Sequence, residues 1–346
     1  MKSKLFSTLT AALLATGMFV DAARAQDALV VSSWGGSWRD MIAETIAKKF
    51  TAETGVPVEF ITGGTIDRLN AAKLAAGSPE ADITFTTSHV GWLYQTDGLF
   101  EELDLSKVPN AANLFDEAII SPGHVGIWSY VYTIGYRPDL VPAGVTFSSW
   151  KDLWNPELAG MIALPDFDPS HIVTVAAVLA GGGPENWEVG QDNLMALKPN
   201  IRAFYSNDAN SQQLIGSGET PVQVLLSMNG HYMKDQGVPL EIVIPEEGAI
   251  IGIDTIGIMA GTKKLDLAYQ FLNYALDPEV QAEIVKIKKG GPAVTNAAID
   301  PELAKLAGVF TTAEQWSTEA LIIPHKLRAE MTSTWRTWFS ENLIAN

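Results

Sequence analysis

The chain of 346 residues contains no cysteine. That absence excludes a disulfide scaffold, a zinc ribbon, an iron–sulfur cluster, a thiol nucleophile and a lipoprotein anchor. Positive charge is scarce too. Lys and Arg number 23 against 40 Asp and Glu, for a formal net charge of −17. Nucleic acid is a poor partner for such a chain, because the phosphate backbone needs a basic face. Net charge by itself names no ligand, since it speaks to solubility and steering. Catalytic signatures are missing as well: GxSxG, HExxH, a Walker motif and a complete GxGxxG do not occur. The GSG at 216–218 reads only as a turn before a strand. What is present is a hydrophobic fraction of 47%, enough to bury real cores and to argue against disorder. The length suggests roughly two domains at ~150 residues each.

Residues 1–25 are a different kind of object. Lys2 and Lys4 form a positive n-region, Leu5 to Val20 is mostly apolar, and Ala23-Arg24-Ala25 places small residues where a signal peptidase reads. The segment reads as a secretory signal peptide cleaved before Gln26. Its apolar stretch is short for a membrane anchor of about 20 residues. Removing it takes the formal charge from −17 to −19. No later stretch is long and apolar enough to span a bilayer, so the mature chain is expected to be soluble and outside the cytoplasm.

Beyond the signal, strand and helix patterns alternate. Leu29-Val30-Val31, Val58–Ile61 and Ile83–Thr86 read as strands. Ile42, Ala43, Ile46, Ala47 and Phe50 mark one helix face, and helical spacing recurs over Ile66–Ala76 and Ser88–Thr96. The middle repeats the theme: strands at Val131–Tyr136, Met161–Leu164, Val222–Leu226 and Leu240–Ile244, a short helix at Trp150–Trp154, and a helix at His171–Ala180. A strand at Ile256–Met259 follows, then a helix through Ala268, Phe271, Leu272 and Ala275. Asp277-Pro278 is a cap followed by N1 proline that starts the next. Trp316, Trp335 and Trp338 belong to C-terminal helices packed on the body. This alternation argues for an α/β fold with parallel sheet, and two such units suggest two lobes with a cleft. Ligands of open α/β sheets bind beyond the carboxyl ends of the strands. The loops to inspect are therefore Ser33–Ser37, Thr86–His89, Asp166–His171, Ser227–Tyr232 and Gly252–Thr255.

Four stretches together resemble the periplasmic solute-binding proteins of ABC importers, in particular the spermidine/putrescine-binding branch. They are Asp82–Asp104 (DITFTTSHVGWLYQTDGLFEELD), Ser149–Leu164 (SWKDLWNPELAGMIAL), Glu246–Gly261 (EEGAIIGIDTIGIMAG) and Ala268–Ile284 (AYQFLNYALDPEVQAEI). The resemblance implies a two-lobed periplasmic binding protein fold (type II), with the ligand cleft between the lobes and hinge closure on the ligand. It implies lobe one at 26–134 with 256–300, and lobe two at 135–255 with 301–346. It implies a monomer in the periplasm that captures a small amine-bearing solute, polyamine or related, and delivers it to a transmembrane permease. No cofactor or metal is implied.

The same resemblance points to binding residues. Polyamine binders hold a cation with carboxylates and aromatic faces, through charge-assisted hydrogen bonds and cation–π attraction of about 0.5–2 kcal/mol per ring. Asp254, in GIDTIG, stands where the family places an amine-binding carboxylate. A charge there, between Ile253 and Ile256, is costly unless paired or facing a ligand; the alternative role is capping at the end of a hinge. Asp166 stands where the family places acidic residues of lobe two, with Asp168 and Ser170 as neighbours in a loop one residue longer; the alternative is a helix cap. Trp34 matches an aromatic platform after the first strand, and Gly35-Gly36-Ser37 offers amides ahead of a helix. Thr87 and His89 match a hydroxyl and an aromatic. Two departures stand out: Met228, in SMNGHY, and Gly252 replace aromatic walls, for which Tyr232 or Trp128 is the expected substitute. Arg202 is a candidate carboxylate clamp or a plain surface arginine. With Arg202 or the Gly35-Gly36 amides in the cleft, the ligand becomes a zwitterionic ω-amino acid or an opine-type conjugate. The competing class is a secreted carboxylate-dependent hydrolase using a pair such as Asp166 and Asp254, which leaves the four ordered stretches unexplained.

Overall fold

The computed structural model describes residues 28–345; the signal segment at 1–25 lies outside them. The first described element is β1 (Leu29–Ser33), which leads through Trp34-Gly35-Gly36 into α1 (Ser37–Ile42). A π-helical turn at Ala43–Ala47 joins this helix to α2 (Lys48–Thr54) without a break. Gly55 then takes the left-handed conformation at φ 72° and ends it. The first unit continues with β2 (Val58–Thr62), α3 (Thr65–Leu74), β3 (Ile83–Thr87) and α4 (Ser88–Thr96). A short β4 (Ile119–Ser121) precedes the long β5 (His124–Tyr136). The second unit follows: β6 (Ile162–Pro165), α5 (Ser170–Leu179), α6 (Gln191–Leu197), β7 (Ile201–Tyr205), α7 (Asp208–Ser217), β8 (Val222–Leu226) and α8 (Ser227–Asp235). After β9 (Glu241–Val243), β10 (Ala249–Ile258) returns through the middle of the sheet. The remainder is largely helical: α9 (Leu265–Ala275), α10 (Pro278–Lys288), α11 (Pro301–Ala304), α12 (Ala313–Thr318) and α13 (His325–Phe339). The α10 helix starts as its sequence dictates, with Pro278 at N1 and Asp277 accepting from the amides of Glu279 and Val280.

One mixed sheet runs β2-β1-β3-β10-β5-β8-β6-β7. Each end is a parallel three-strand arm, β2-β1-β3 on one side and β8-β6-β7 on the other. Between them β10 and β5 pair with each other and with their neighbouring arms in antiparallel fashion. The two arms are the two lobes, and the middle pair belongs to both. Each lobe has its own aromatic packing. Phe85 stacks on Trp128 at 5.9 Å and meets Phe271 edge-on, and Phe271 meets Phe50. In the second lobe Trp187 meets Trp338 and Phe204 meets Phe339, so α13 seals that side. Fully burying each such ring is worth about 1.5–3 kcal/mol.

Several elements differ from the periodicity reading. The strands expected from Val131 and Ile256 begin earlier, at His124 and Ala249. Both are covered on two faces; every residue of β10 is buried. Such strands lose the alternation that marks an exposed sheet, and Asp254, Thr255 and Ser129 imitate loop residues. Gly252–Thr255 is therefore strand and not loop. Ser227–Tyr232 is also not a loop, because α8 begins at Ser227 directly after β8, as α4 begins at Ser88 directly after β3.

Candidate functional site

Register fixes where the site lies. Thr87, at the carboxyl end of β3, stands opposite Asp254 on β10, and Asp254 in turn stands opposite Trp128 on β5. Four residues further along β5, Tyr132 stands opposite Leu226, the carboxyl end of β8. The ends of both arms thus converge on the stretch Trp128–Tyr132 of β5 and Ile250–Asp254 of β10. Tyr130 and Gly252 pair midway between the two ends.

Asp254 is 5% exposed. Trp128 Nε1 donates to its Oδ2 at 2.8 Å, and the Tyr130 hydroxyl donates to the same carboxylate. Among the described residues no cationic side chain is bonded to it; burial pushes its pKa up to about 7. The two donors hold it down, the Asp208 carboxylate adds to the rise, and the Arg68 guanidinium opposes it. Trp38 stacks on Trp128 at 5.7 Å and 12° and meets Trp34 at 6.1 Å, so an aromatic row leads from the carboxylate to the end of β1.

The Gly252 position has a definite consequence. A Cβ there would lie 2.1 Å from Cε2 of Tyr130. The ring of Tyr130 therefore fills the space that an aromatic at 252 would need, and β5 supplies the wall that β10 lacks. The expected substitutes behave differently. Trp128 reaches Asp254, whereas Tyr232 on α8 is 51% exposed. Met228 is buried with its terminal methyl against Gly290.

Asp168 has an opposite environment at similar burial. Its Oδ2 accepts from Arg328 Nη2 at 2.6 Å, and its Oδ1 accepts from the amide of Ser170 at 3.0 Å, capping α5. Burial works against its ionisation, yet the Arg328 guanidinium, with the hydrogen bond from Ser170, holds the carboxyl far below the usual range. His171 stacks on Tyr132 at 3.8 Å, bonds the Asp168 carbonyl through Nδ1 and reaches Arg328 through Nε2. His89 Nε2 lies 3.8 Å from Asp168 Oδ2. Burial pushes its pKa down to about 3, so the ring is neutral and this approach is not an ion pair. Asp168 is thus committed to Arg328 and to the start of α5. Asp166, two residues earlier, is half-buried, and burial raises its pKa.

The remaining candidates are scattered around this centre. Trp34 is half-buried, donates to Thr65 Oγ1 at 2.8 Å and has the Arg68 guanidinium 5.2 Å from its ring centroid, so one face is already covered. Gly35 is exposed in the β1–α1 loop, and Gly36 has φ 60°. The Thr87 hydroxyl and His89 Nδ1 are buried without hydrogen-bond partners. Arg202 lies on β7, the outermost strand of its arm, and is exposed. Among the described residues no group of His, Asp and Glu side chains is arranged to hold a metal ion, and no helix is long and apolar enough to cross a membrane.

Sequence reasoning missed Tyr130, Trp38, Asp208, Lys288 and Arg328. Asp208 opens α7 beyond the carboxyl end of β7, accepts from Asn229 Nδ2 at 2.9 Å, and has its pKa raised by burial. In the sequence it passes for an ordinary first-turn acid. Arg328 passes for a surface cation in an amphipathic helix. Tyr130 had a usable signal: it is an aromatic two residues after Trp128 and so on the same face of its strand.

Residues 45–311 match the model of the bacterial extracellular solute-binding protein family. The chain is 30% identical over 275 residues to the putrescine-binding periplasmic protein PotF of Escherichia coli K12, covering 72% of this chain and 74% of that one. It is 27% identical over 322 residues to the spermidine/putrescine-binding periplasmic protein of the same organism, with 88% and 89% covered. A crystal structure of an ABC transporter protein from Clostridium perfringens superposes with a TM-score of 0.79 at 29% identity, covering 91% of this chain and 99% of that one. A two-lobed sheet with a shared middle pair, the strand ends converging on a buried carboxylate, and a match over most of the sequence agree: the chain belongs to the bacterial extracellular solute-binding proteins.

Proposed function

We propose that the protein is the periplasmic, non-enzymatic binding component of an ABC importer, and that it captures a small amine-bearing solute, a polyamine or a related compound. The observation that carries the ligand class is Asp254. A carboxylate buried in a tryptophan and tyrosine cage, without a bonded cation, is costly in the empty protein and gains a charge-assisted partner when an ammonium enters. Trp38, Trp128 and Tyr130 supply faces and edges around it, and Asp208 adds negative charge from the other arm. Closure of the lobes about the β5–β10 pair would remove water from the amine and strengthen each of these contacts. On this reading lobe one takes 26–134 and 256–300, lobe two takes 135–255 and 301–346, and the cleft-side surfaces of both meet the permease. Trp34, Gly35, Thr87, His89, Asp166 and Met228 are the further ligand-binding candidates around Asp254.

The names of the two Escherichia coli relatives support the amine reading, because they describe periplasmic binders of putrescine and spermidine. The test is a thermal-shift panel of amines on the mature protein. A ligand at a hundred times its Kd adds about 2.7 kcal/mol of stability, so a true ligand raises the Tm by several degrees. If no amine-bearing compound raises it, the ligand class is wrong. If the bound compound is turned over, the protein is an enzyme after all.

A further inference from the structure

Besides Arg68, which acts on Asp254 from beside Trp34, two cations of the protein stand around this site, and neither is hydrogen-bonded to Asp254. Lys288, the last residue of α10, holds its Nζ 4.1 Å from the centroid of the Trp38 ring and 2.9 Å from Ser37 Oγ. Burial pushes its pKa down to about 8, and the Asp208 and Asp40 carboxylates oppose that fall, so the ammonium is still largely charged at neutral pH. Ser37 and Trp38 lie beyond the carboxyl end of β1 and Asp208 beyond that of β7, so this ammonium stands between the loop ends of the two arms. The other face of Trp38 stacks on Trp128, which donates to Asp254. A lysine of the chain itself therefore occupies the outer aromatic platform.

The second cation is Arg328, 4% exposed. Its Nη2 serves Asp168 and His171, while its Nε–H is buried without an acceptor. The Thr87 hydroxyl and His89 Nδ1 are unpartnered in the same way. Tyr130 ties this group to the amine pocket, for it bonds Asp254 and lies within the field of Arg328. A guanidinium N–H needs an acceptor. A linear diamine brings only donors and a second positive charge, which would meet Lys288 or Arg328. A carboxylate brings acceptors and negative charge.

We propose that this cleft selects a ligand with one ammonium and one carboxylate, the ammonium on Asp254 and the carboxylate towards Lys288 and Arg328, and that Lys288 sets the preference by repelling a second ammonium. Repulsion of the wrong ligand is as much a part of specificity as attraction of the right one. The inference rests on the amine-binding reading and narrows it.

The experiment uses length-matched pairs: putrescine against 4-aminobutyrate, and cadaverine against 5-aminovalerate. Titration calorimetry on the mature protein, on Lys288→Met and on Arg328→Gln gives a Kd ratio for each pair. In the wild type the amino acid binds at least tenfold tighter than its diamine. Lys288→Met keeps the apolar stem over Trp38, leaves the Tm nearly unchanged and moves the ratio at least tenfold towards the diamine. A residue with a merely structural role would shift both members of a pair alike and leave the ratio fixed. Arg328→Gln moves the ratio in the same direction if the variant folds, and Lys288→Met decides the matter if it does not. Tighter binding of the diamines to the wild type, or a ratio unmoved by Lys288→Met, overturns this inference while the amine reading stands. If neither member of either pair binds, both fall.

Discussion

Asp254 and Asp168 are buried to nearly the same degree, 5% and 7% exposed, and titrate in opposite directions. Asp168 has a guanidinium at 2.6 Å and a backbone amide at its other oxygen. Asp254 has an indole and a phenol and no bonded cation. Burial penalises both carboxylates; what differs is whether the chain itself supplies the counter-charge. A buried acid that is already paired holds structure together. One left without its cation carries a cost in the empty protein, and a ligand can relieve it. The two roles separate by stability and affinity measurements on variants of each.

The largest effect is expected at Asp168. Asp168→Ala leaves Arg328 buried without its counter-charge, and breaking such a pair costs about 3–5 kcal/mol. Urea unfolding of the ligand-free variant measures it directly. The pKa of Asp168 is lowered in the fold, so its contribution is present above the ordinary carboxylate range, near pH 4, and fades as the pH falls below it. A loss under about 1 kcal/mol would place Asp168 with ordinary surface pairs and end the contrast with Asp254.

Asp254→Asn is expected to do the reverse to the empty protein. The folded value of about 7 lies above the ordinary one, so the stabilising contribution is full below about pH 4 and lost as the pH rises through 7. At pH 8 the asparagine variant is therefore more stable than the wild type, by roughly 2–4 kcal/mol at one proton's worth of linkage. At pH 4 the two converge. The same substitution weakens an amine ligand by at least about 1.5 kcal/mol, the value of a hydrogen bond to a charged group. In the wild type, amine affinity falls as the pH drops below 7, because the carboxylate must first lose its proton. Calorimetry in buffers of different ionisation enthalpy reads that proton release. An unchanged affinity in Asp254→Asn removes this residue from the site.

Much of this contrast was legible before the structure. A lone acid in the apolar run AIIGIDTIGI invites the question of what neutralises it, and the strand–helix alternation marked the α/β fold, though not the antiparallel pairing of its middle strands. The choice between Asp166 and Asp168 was not legible, because it depends on Arg328, 160 residues away in sequence. Nor did the spacing reveal that β5 and β10 run through both lobes, since strands covered on both faces show no alternation. Along β10 alone, Gly252 looks like a lost wall. Cross-strand pairing supplies the missing ring from Tyr130, and pairing is a property of the sheet, not of a segment.

The smallest effect tests that substitution of walls. Tyr130→Phe keeps the ring over Gly252 and removes only the hydroxyl that donates to Asp254. The hydroxyl donates to the empty and the filled site alike, so amine affinity falls only through the proton that Asp254 then holds more tightly, by roughly three- to tenfold at neutral pH. With one donor fewer, the Asp254 carboxyl also titrates higher, and the fall in affinity on acidification begins at a higher pH. Gly252→Ala probes the other half of the pair, because its Cβ would sit 2.1 Å from the ring and force Tyr130 to move. The hydroxyl moves with the ring, so this variant loses wall and donor together and binds more weakly than Tyr130→Phe. Equal losses in the two variants would mean that the hydroxyl alone matters and that the ring is no wall.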